Sequence, residues 1–293
     1  MTGLKVFLEE ELWLFLVIGI FLGLALPQIG AALTPYAIYF LLTVMFLTSL
    51  SIDLGEVKRA FDNKNTIMSG LLLAFVVSPC LAFILSLNLP SEMALGVVLV
   101  ASMPVGMSTA FFVQRMGGNA ALTLVFTALT TLLCPFITPI IMETLTGVFV
   151  SIDPIRLFIS LIEFVILPFI LAVLVRNYSK GFVKRILNVS NAVTTLLIFL
   201  IVWGIISSTS YGISGLFELI IVEAGLILLA FGVGFFSGRR DRMVLSMTSA
   251  YKNATLGMVV ALEVFSPAVA LPAVIWTLLH NAILTPIMFL KRR

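Results

Sequence analysis

Apolar stretches of about 20 residues follow one another along almost the whole chain, and this feature limits the fold more than any other. A helix needs about 20 apolar residues to cross the hydrocarbon core of a bilayer. Only 11% of the 293 residues are charged, against about 25% in soluble domains. The chain is therefore predicted to be an all-α polytopic membrane protein with ten transmembrane helices, at residues 12–29, 36–53, 66–88, 92–113, 119–143, 154–176, 187–207, 215–237, 241–264 and 267–290.

Basic residues alternate between the two sides of the predicted bundle. The connections after odd-numbered spans carry almost none, with Arg156 as the exception. Because lysine and arginine collect in cytoplasmic loops, both termini are predicted to be cytoplasmic and the bilayer is that of the cell membrane. The connections after even-numbered spans hold the basic groups, namely Lys58, Arg59, Lys64, Arg115, Arg176, Lys180, Lys184, Arg185, Arg239, Arg240, Arg242 and Lys291–Arg293.

An internal repeat divides the chain into halves. Thr138–Ile140 at the end of the fifth span recurs 147 residues later as Thr285–Ile287, and the same offset places Pro104–Gly106 on Tyr251–Asn253. Five spans per half is an odd number, so residues 1–145 and 146–293 are predicted to be inverted five-helix repeats within one membrane domain. Inverted repeats with paired, interrupted helices are typical of secondary transporters.

Residues 239–265 are long enough to span the bilayer, yet their middle is polar. Lys252 lies thirteen residues from either end, where a charge costs about 2.5–3.5 kcal/mol on insertion scales. Lys252 and Asn253 are therefore predicted to line a transport site, and a structural ion pair is the alternative for Lys252. Glu163 is the first candidate for its charge partner and Glu223 the second; a buried carboxyl could also carry a proton, and the two roles are not exclusive.

The other predicted interruption holds Pro104, Gly106, Ser108 and Thr109. Proline removes a backbone donor, and a half-helix beginning near Gly106 would point its N-terminal amides at the crossing, where they favour an anion. An ordinary proline kink is the alternative. These four residues are predicted to bind substrate together with Lys252 and Asn253.

Hydroxyl and imidazole groups elsewhere add candidates. Thr123 and Thr127 share one face of the fifth span; they could coordinate a cation or substrate, or bond back to their own helix. His280 and Asn281 lie within the tenth span as further candidates for substrate binding, with a structural histidine as the alternative. In the first span, Gly19-x-x-x-Gly23 would allow close helix contact.

The chain contains no spacing typical of a metal site, a nucleophile triad or a phosphate loop. We therefore expect no enzyme activity, cofactor, metal or nucleic-acid partner. A membrane receptor would usually carry a soluble signalling extension, which the sequence does not show. The competing class is a cation/proton antiporter, which would need acidic ligands at the crossing; the four aspartates lie at span ends or in loops, at Asp53, Asp62, Asp153 and Asp241.

Several segments resemble the bile acid:sodium symporter family over nearly the whole chain. The resemblance implies ten helices, a panel domain and a core domain with helices four and nine crossed, and uptake of an organic anion such as a sterol acid, pantoate or a 2-oxo acid. The segments that carry it are Pro104–Thr109, Asn119–Thr123, Thr130–Pro135, Tyr251–Asn253, Ser266–Pro272 and Trp276–Asn281.

Departures from the family pattern fall on the sodium sites that the resemblance implies. The first site would use Thr109, Ala110, Thr123, Thr127 and Thr248. The family's amide is then lost at Ala110 and its acid at Thr248. The second site would use Ala74, Thr248 and Lys252, which places an ammonium where a cation would bind.

We therefore hypothesise sodium-independent transport of a small organic anion, proton-linked or passive, with the charge of Lys252 replacing bound sodium. Sodium-coupled organic anion symport is the alternative, and a cation/proton antiporter is the second alternative. The expected partners are the organic anion, a coupled ion that is either H⁺ or Na⁺, and the lipid bilayer. The protein is expected to be a monomer.

Overall fold

Helices make up the regular structure of the part of the chain that the computed structural model describes, which is residues 12–50, 64–147, 152–178, 180–209, 213–238 and 241–290. In chain order they are α1 (Leu12–Ala25), α2 (Pro27–Ala31), α3 (Ala37–Ser49), α4 (Lys64–Leu72), α5 (Ser78–Ser86), α6 (Ser91–Ala101), α7 (Thr109–Arg115), α8 (Ala120–Thr146), α9 (Pro154–Leu161), α10 (Leu167–Tyr178), α11 (Lys180–Ser207), α12 (Ile213–Ser237), α13 (Arg242–Ala250), α14 (Ala254–Val264) and α15 (Pro267–Leu290). Short π-helical turns, Leu73–Val77 and Ile162–Ile166, join α4 to α5 and α9 to α10.

Seven helical stretches of the described ranges are long and apolar enough to cross a membrane: Pro27–Ser49, Lys64–Ser86, Ala120–Thr146, Pro154–Tyr178, Val183–Ser207, Gly215–Ser237 and Pro267–Leu284. The prediction of an all-α polytopic membrane protein is thereby confirmed. Shorter apolar helices lie in the first, fourth and ninth predicted spans, at Leu14–Ala25, Ser91–Ala101 and Ala254–Val264. The count of ten, the inverted repeat and the orientation stay predictions.

Part of the charge pattern cannot be placed, since it lies outside the described residues. This holds for Asp53, Lys58, Arg59, Asp62, Arg239, Arg240 and Lys291–Arg293.

The first span ends earlier than the predicted boundary at residue 29. Helix α1 stops at Ala25 and α2 begins at Pro27. A proline disfavours helical backbone in the residue before it, and its fixed φ suits the first position of a new helix. The helical stretch that follows therefore runs from Pro27 to Ser49, and it takes up residues that were predicted to belong to the first span.

Helices α1 and α11 pack closely through the predicted Gly19-x-x-x-Gly23 pair. A Cβ atom added at Gly23 would lie 2.6 Å from Cγ2 and 2.7 Å from Cβ of Ile206. At Gly19 it would lie 3.3 Å from the ring of Phe199. Small residues at such an interface let two backbones approach within the membrane, and here they join α1 to the helix that borders the site described below.

Two helix interruptions lie against each other in the interior. Between α6 and α7, and between α13 and α14, the chain is not helical. The amide of Gly106 donates to the carbonyl of Tyr251 at 2.9 Å, and the amide of Asn253 donates to the carbonyl of Pro104 at 2.8 Å. Val105 and Lys252 thus form an isolated antiparallel bridge. Non-helical backbone at membrane depth is tolerated when protein satisfies it in this way, and the interruptions predicted at these two places are present.

Helix α8 holds the first interruption in place through two threonines. The Thr130 hydroxyl accepts a hydrogen bond from the amide of Val105 at 3.0 Å and donates to the carbonyl of Phe126 at 2.6 Å. The Thr138 hydroxyl donates to the carbonyl of Ser102 at 2.8 Å. The bonds to Val105 and Ser102 each satisfy a backbone group that the interrupted helix leaves without a helical partner.

We predict that Gly23→Ala lowers the stability of the folded protein, because the added methyl group overlaps Cβ and Cγ2 of Ile206. Overpacking of this kind costs about 1–3 kcal/mol. The measurement is the midpoint of thermal unfolding in detergent. Gly225→Ala in α12 is the matched control, since a Cβ atom there meets nothing within 4 Å. Equal midpoints for the two variants would contradict the packing described here.

We also predict that Thr130→Val lowers that midpoint while Thr131→Val does not. Both side chains are buried, but the Thr131 hydroxyl has no partner among the described residues. Replacing Thr130 leaves the Val105 amide unsatisfied, which costs about 1–3 kcal/mol. A drop of the same size in both variants would show that the hydroxyl of Thr130 does not hold the interruption.

Candidate functional site

A cavity of about 90 Å³ lies where the two interruptions face α3 and α11. It has room for about three water molecules at about 30 Å³ each. The residues that line it come from the two interruptions, which together form the crossing, and from the surrounding helices. Among them are Met45, Gly106, Ser108, Lys252, Asn253, Thr255 and His280. Five of the predicted substrate-binding residues are in this group, whereas Pro104, Thr109 and Asn281 are not.

The N-terminus of α14 opens at this cavity. The Asn253 side chain caps the helix by accepting from the amide of Leu256 at 3.1 Å, and the amide of Ala254 donates to the carbonyl of Lys252 at 2.9 Å. Among the described residues, no backbone group accepts from the amide of Thr255, whose side chain lines the cavity. The free amide of Thr255 and the helix dipole together favour an anion at this position.

Lys252 lines the cavity, and its ammonium is bonded to a group that does not line it. The side chain is 1% exposed, and its Nζ donates to the carbonyl of Ala74 at 2.7 Å. Ala74 belongs to the π-helical turn Leu73–Val77, and residues 64–86 contribute nothing to the cavity lining. The charge of Lys252 is therefore satisfied by protein beside the cavity.

The ion pair given as the alternative for Lys252 is not formed in the described part of the chain. Glu163 is exposed on the π-helical turn Ile162–Ile166, and Glu223 is fully buried with neither carboxyl oxygen hydrogen-bonded. The ammonium is satisfied by a backbone carbonyl instead. Depth in the span suggested the partner, but depth does not say which way a side chain points around its helix.

The threonines at the ion-site positions are all buried. Thr123 donates to the carbonyl of Asn119 at 2.9 Å, Thr127 donates to that of Thr123 at 3.1 Å, and Thr109 donates to that of Gly106. Back-bonding, the alternative stated for Thr123 and Thr127, is what the structure shows for those two. The Thr248 hydroxyl has no partner among the described residues.

These positions therefore offer hydroxyl and carbonyl oxygens. Within the described ranges, no group of three or more histidine, cysteine, aspartate or glutamate side chains could hold a metal ion.

His280 borders the cavity as one side of an aromatic stack. Its ring centroid lies 4.1 Å from that of Tyr251, whose other neighbour is Phe112 at 5.1 Å. His280 is 3% exposed, and its Nδ1 has no partner among the described residues. Asn281 differs, because its amide donates to the carbonyl of Thr277 in its own helix at 2.8 Å.

Sequence reasoning did not predict the roles of two residues at the site. The resemblance placed Ala74 with Lys252 in one ion site, and the structure shows that Ala74 supplies the acceptor for the ammonium through its backbone carbonyl. Tyr251 forms part of the lining, and its ring lies against Gly106, where an added Cβ atom would come within 2.6 Å of it. The internal repeat and the resemblance both include Tyr251, but neither predicted that it lines the site.

The chain is similar to several transporters over much of its length. It is 26% identical to the uncharacterized sodium-dependent transporter YocS of Bacillus subtilis over 94% of this chain and 88% of that protein. It is 28% identical to the probable sodium/metabolite cotransporter BASS1, chloroplastic, of rice over 79% of this chain, and it spans 60% of the length of that protein. The corresponding rice BASS2 protein is 27% identical over 90% of this chain and 65% of its own length.

Residues 38–215 match the family described as the sodium bile acid symporter family. That match covers more than half of the 293 residues, and the resemblance seen in the sequence is confirmed. The chain belongs to the sodium bile acid symporter family.

Proposed function

We propose that this protein is a secondary transporter of a small organic anion, a carboxylate, in which the ammonium of Lys252 occupies the place of a coupled sodium ion. Family membership and the transporter names of the relatives support the transporter class. The ten-helix arrangement with inverted repeats, panel and core domains, a monomeric state and cytoplasmic termini in the cell membrane belong to the same proposal.

The observation that carries the proposal is the bond from Nζ of Lys252 to the carbonyl of Ala74. The family resemblance assigns both positions to the second ion site. The acid that the family's two ion sites share is replaced by Thr248 in this chain. An ammonium donating to a carbonyl oxygen uses the kind of ligand that a hard cation prefers. A second cation about 4 Å away would be repelled by roughly 4 kcal/mol near a protein surface and more in the interior.

The cavity at the crossing supports a small anionic substrate. A carboxylate placed there would meet the amide of Thr255, the exposed hydroxyl of Ser108 and the imidazole of His280. The nearby ammonium of Lys252 would add positive potential. A volume of about 90 Å³ favours 2-oxo acids or pantoate over sterol acids, since sites for drug-sized ligands measure about 300–1,000 Å³.

Sodium-coupled symport of the same anion is the second candidate function. The names of the relatives favour it, since they are described as sodium-dependent or as sodium/metabolite cotransporters. The unpartnered hydroxyls of Thr131, Thr248 and Ser249 favour it as well, because they could turn toward a bound cation. A cation/proton antiporter has no comparable support, because no described carboxylate lines the cavity at the crossing.

We predict that uptake does not require sodium. Proteoliposomes containing the purified protein would be tested with radiolabelled pyruvate and pantoate, and with taurocholate as the large anion. Replacing sodium by choline on both sides should leave the initial rate of the transported acid unchanged. A collapse of uptake in choline would reject the substitution of Lys252 for sodium and would establish sodium-coupled symport.

We predict that Lys252→Gln reduces uptake of the transported acid by about tenfold or more, which corresponds to about 1.4 kcal/mol. The variant removes the charge and weakens the bond to the carbonyl of Ala74. Lys184→Gln is the matched control, because Lys184 is exposed on α11. Size-exclusion profiles check that both variants fold. Unchanged uptake in Lys252→Gln would leave Lys252 with a structural role only.

A further inference from the structure

Glu223 is a buried acid that the site described above does not use. It lies on α12, about 15 Å along the helix from Ile213 and about 21 Å from Ser237 at 1.5 Å per residue, and its side chain is 0% exposed. Neither carboxyl oxygen has a hydrogen-bond partner among the described residues. An ionisable side chain at such depth is a functional candidate by default, because its charge is costly there.

The helices packed against α12 bring no charge to this carboxyl. They are α5, α13 and α15 with the π-helical turn Leu73–Val77, and Met93 of α6 approaches Gly215. Arg242 donates through Nε to the carbonyl of Gly238 at the far end of α12, and Glu92 accepts from Ser266. The titratable or charged groups on these elements are Cys80, Glu92, Arg242 and His280, and none of them bonds to Glu223.

Helix α12, which carries Glu223, packs against the same π-helical turn that holds the ammonium of Lys252. Helices α12 and α13 approach where Gly234 meets the carbonyl of Leu245, at 2.5 Å from an added Cβ atom. At 1.5 Å per residue, Glu223 lies about 16 Å along α12 from Gly234. The carbonyl of Ala74 that holds the ammonium belongs to the π-helical turn against which α12 packs. The helix of the acid and the ammonium thus share one neighbour, while Glu223 and Lys252 form no pair.

We propose that Glu223 is a proton-binding site and that its proton is the ion coupled to anion transport. An unpaired carboxylate in this setting would be an uncompensated buried charge, which is strongly destabilising, whereas the carboxylic acid is neutral. One H⁺ joins the Glu223 carboxylate on one side of the membrane and leaves it on the other, while one carboxylate substrate crosses with it, so no net charge moves. The coupling half of this proposal rests on the proposed function.

Infrared spectroscopy tests the proton site without any substrate. The full chain in lipid nanodiscs at neutral pH should show the C=O stretch of a protonated carboxylic acid, shifted in D₂O. The band should be absent in Glu223→Gln, a nearly isosteric change that preserves the neutral side chain. It should persist in Glu218→Gln, the matched control, because Glu218 is exposed on the same helix. No such band in the wild type, or a band that survives Glu223→Gln, overturns the proton site.

Proteoliposomes test the coupling with radiolabelled pyruvate and pantoate. With the acidic side outside, the wild-type protein and Glu218→Gln should accumulate the transported acid above equilibrium. Glu223→Gln should only equilibrate it, yet should still exchange labelled for unlabelled acid. Accumulation by Glu223→Gln equal to the wild type overturns the coupling. A wild-type protein that moves neither acid overturns the proposed function for these substrates and the coupling with it, while the infrared band still decides whether Glu223 binds a proton.

Discussion

Backbone hydrogen bonds between two interrupted helices are the interaction on which the rest of the structure depends. In hydrocarbon, each unsatisfied backbone group costs several kcal/mol, so two open turns persist only if protein satisfies them. Gly106 and Asn253 supply the two amides that join the interruptions, and Thr130 and Thr138 satisfy further groups from α8. Gly106 can lie under the ring of Tyr251 because it has no Cβ atom.

The same crossing brings together two electrostatic features. On the side of α3 and α11, the N-terminus of α14 and several polar residues border a cavity. The ammonium of Lys252, a residue that also lines this cavity, is bonded to a carbonyl of the Lys64–Ser86 stretch, which does not line it. One lysine thus belongs to the lining while its charge is satisfied by protein.

The charges in the interior are the basis of the proposed independence from sodium. The family resemblance implies an ammonium at one ion-site position and threonine at the position of the acid. Elsewhere in the described interior, Glu223 is an acid without a cation. A transporter that keeps a fixed positive charge at the crossing has less need of a bound metal cation there, and a separate carboxyl is then available to hold a proton.

The sequence by itself determined the membrane class, the two interruptions and the family. Long apolar stretches establish the membrane class. A proline, a glycine and a deep lysine indicate the interruptions, and short motifs indicate the family. It also indicated the close contact at Gly23, because small residues four apart share one helix face.

Only the tertiary structure decided which groups meet. Glu163 and Glu223 both lie deep in their spans, yet one is exposed and the other is buried without a partner. In spans that are apolar on every side, the sequence gives depth but not rotation about the helix axis. The resemblance placed Ala74 and Lys252 in one site, but the acceptor proved to be a backbone carbonyl. Every residue carries such a group, so the bond itself depends on packing.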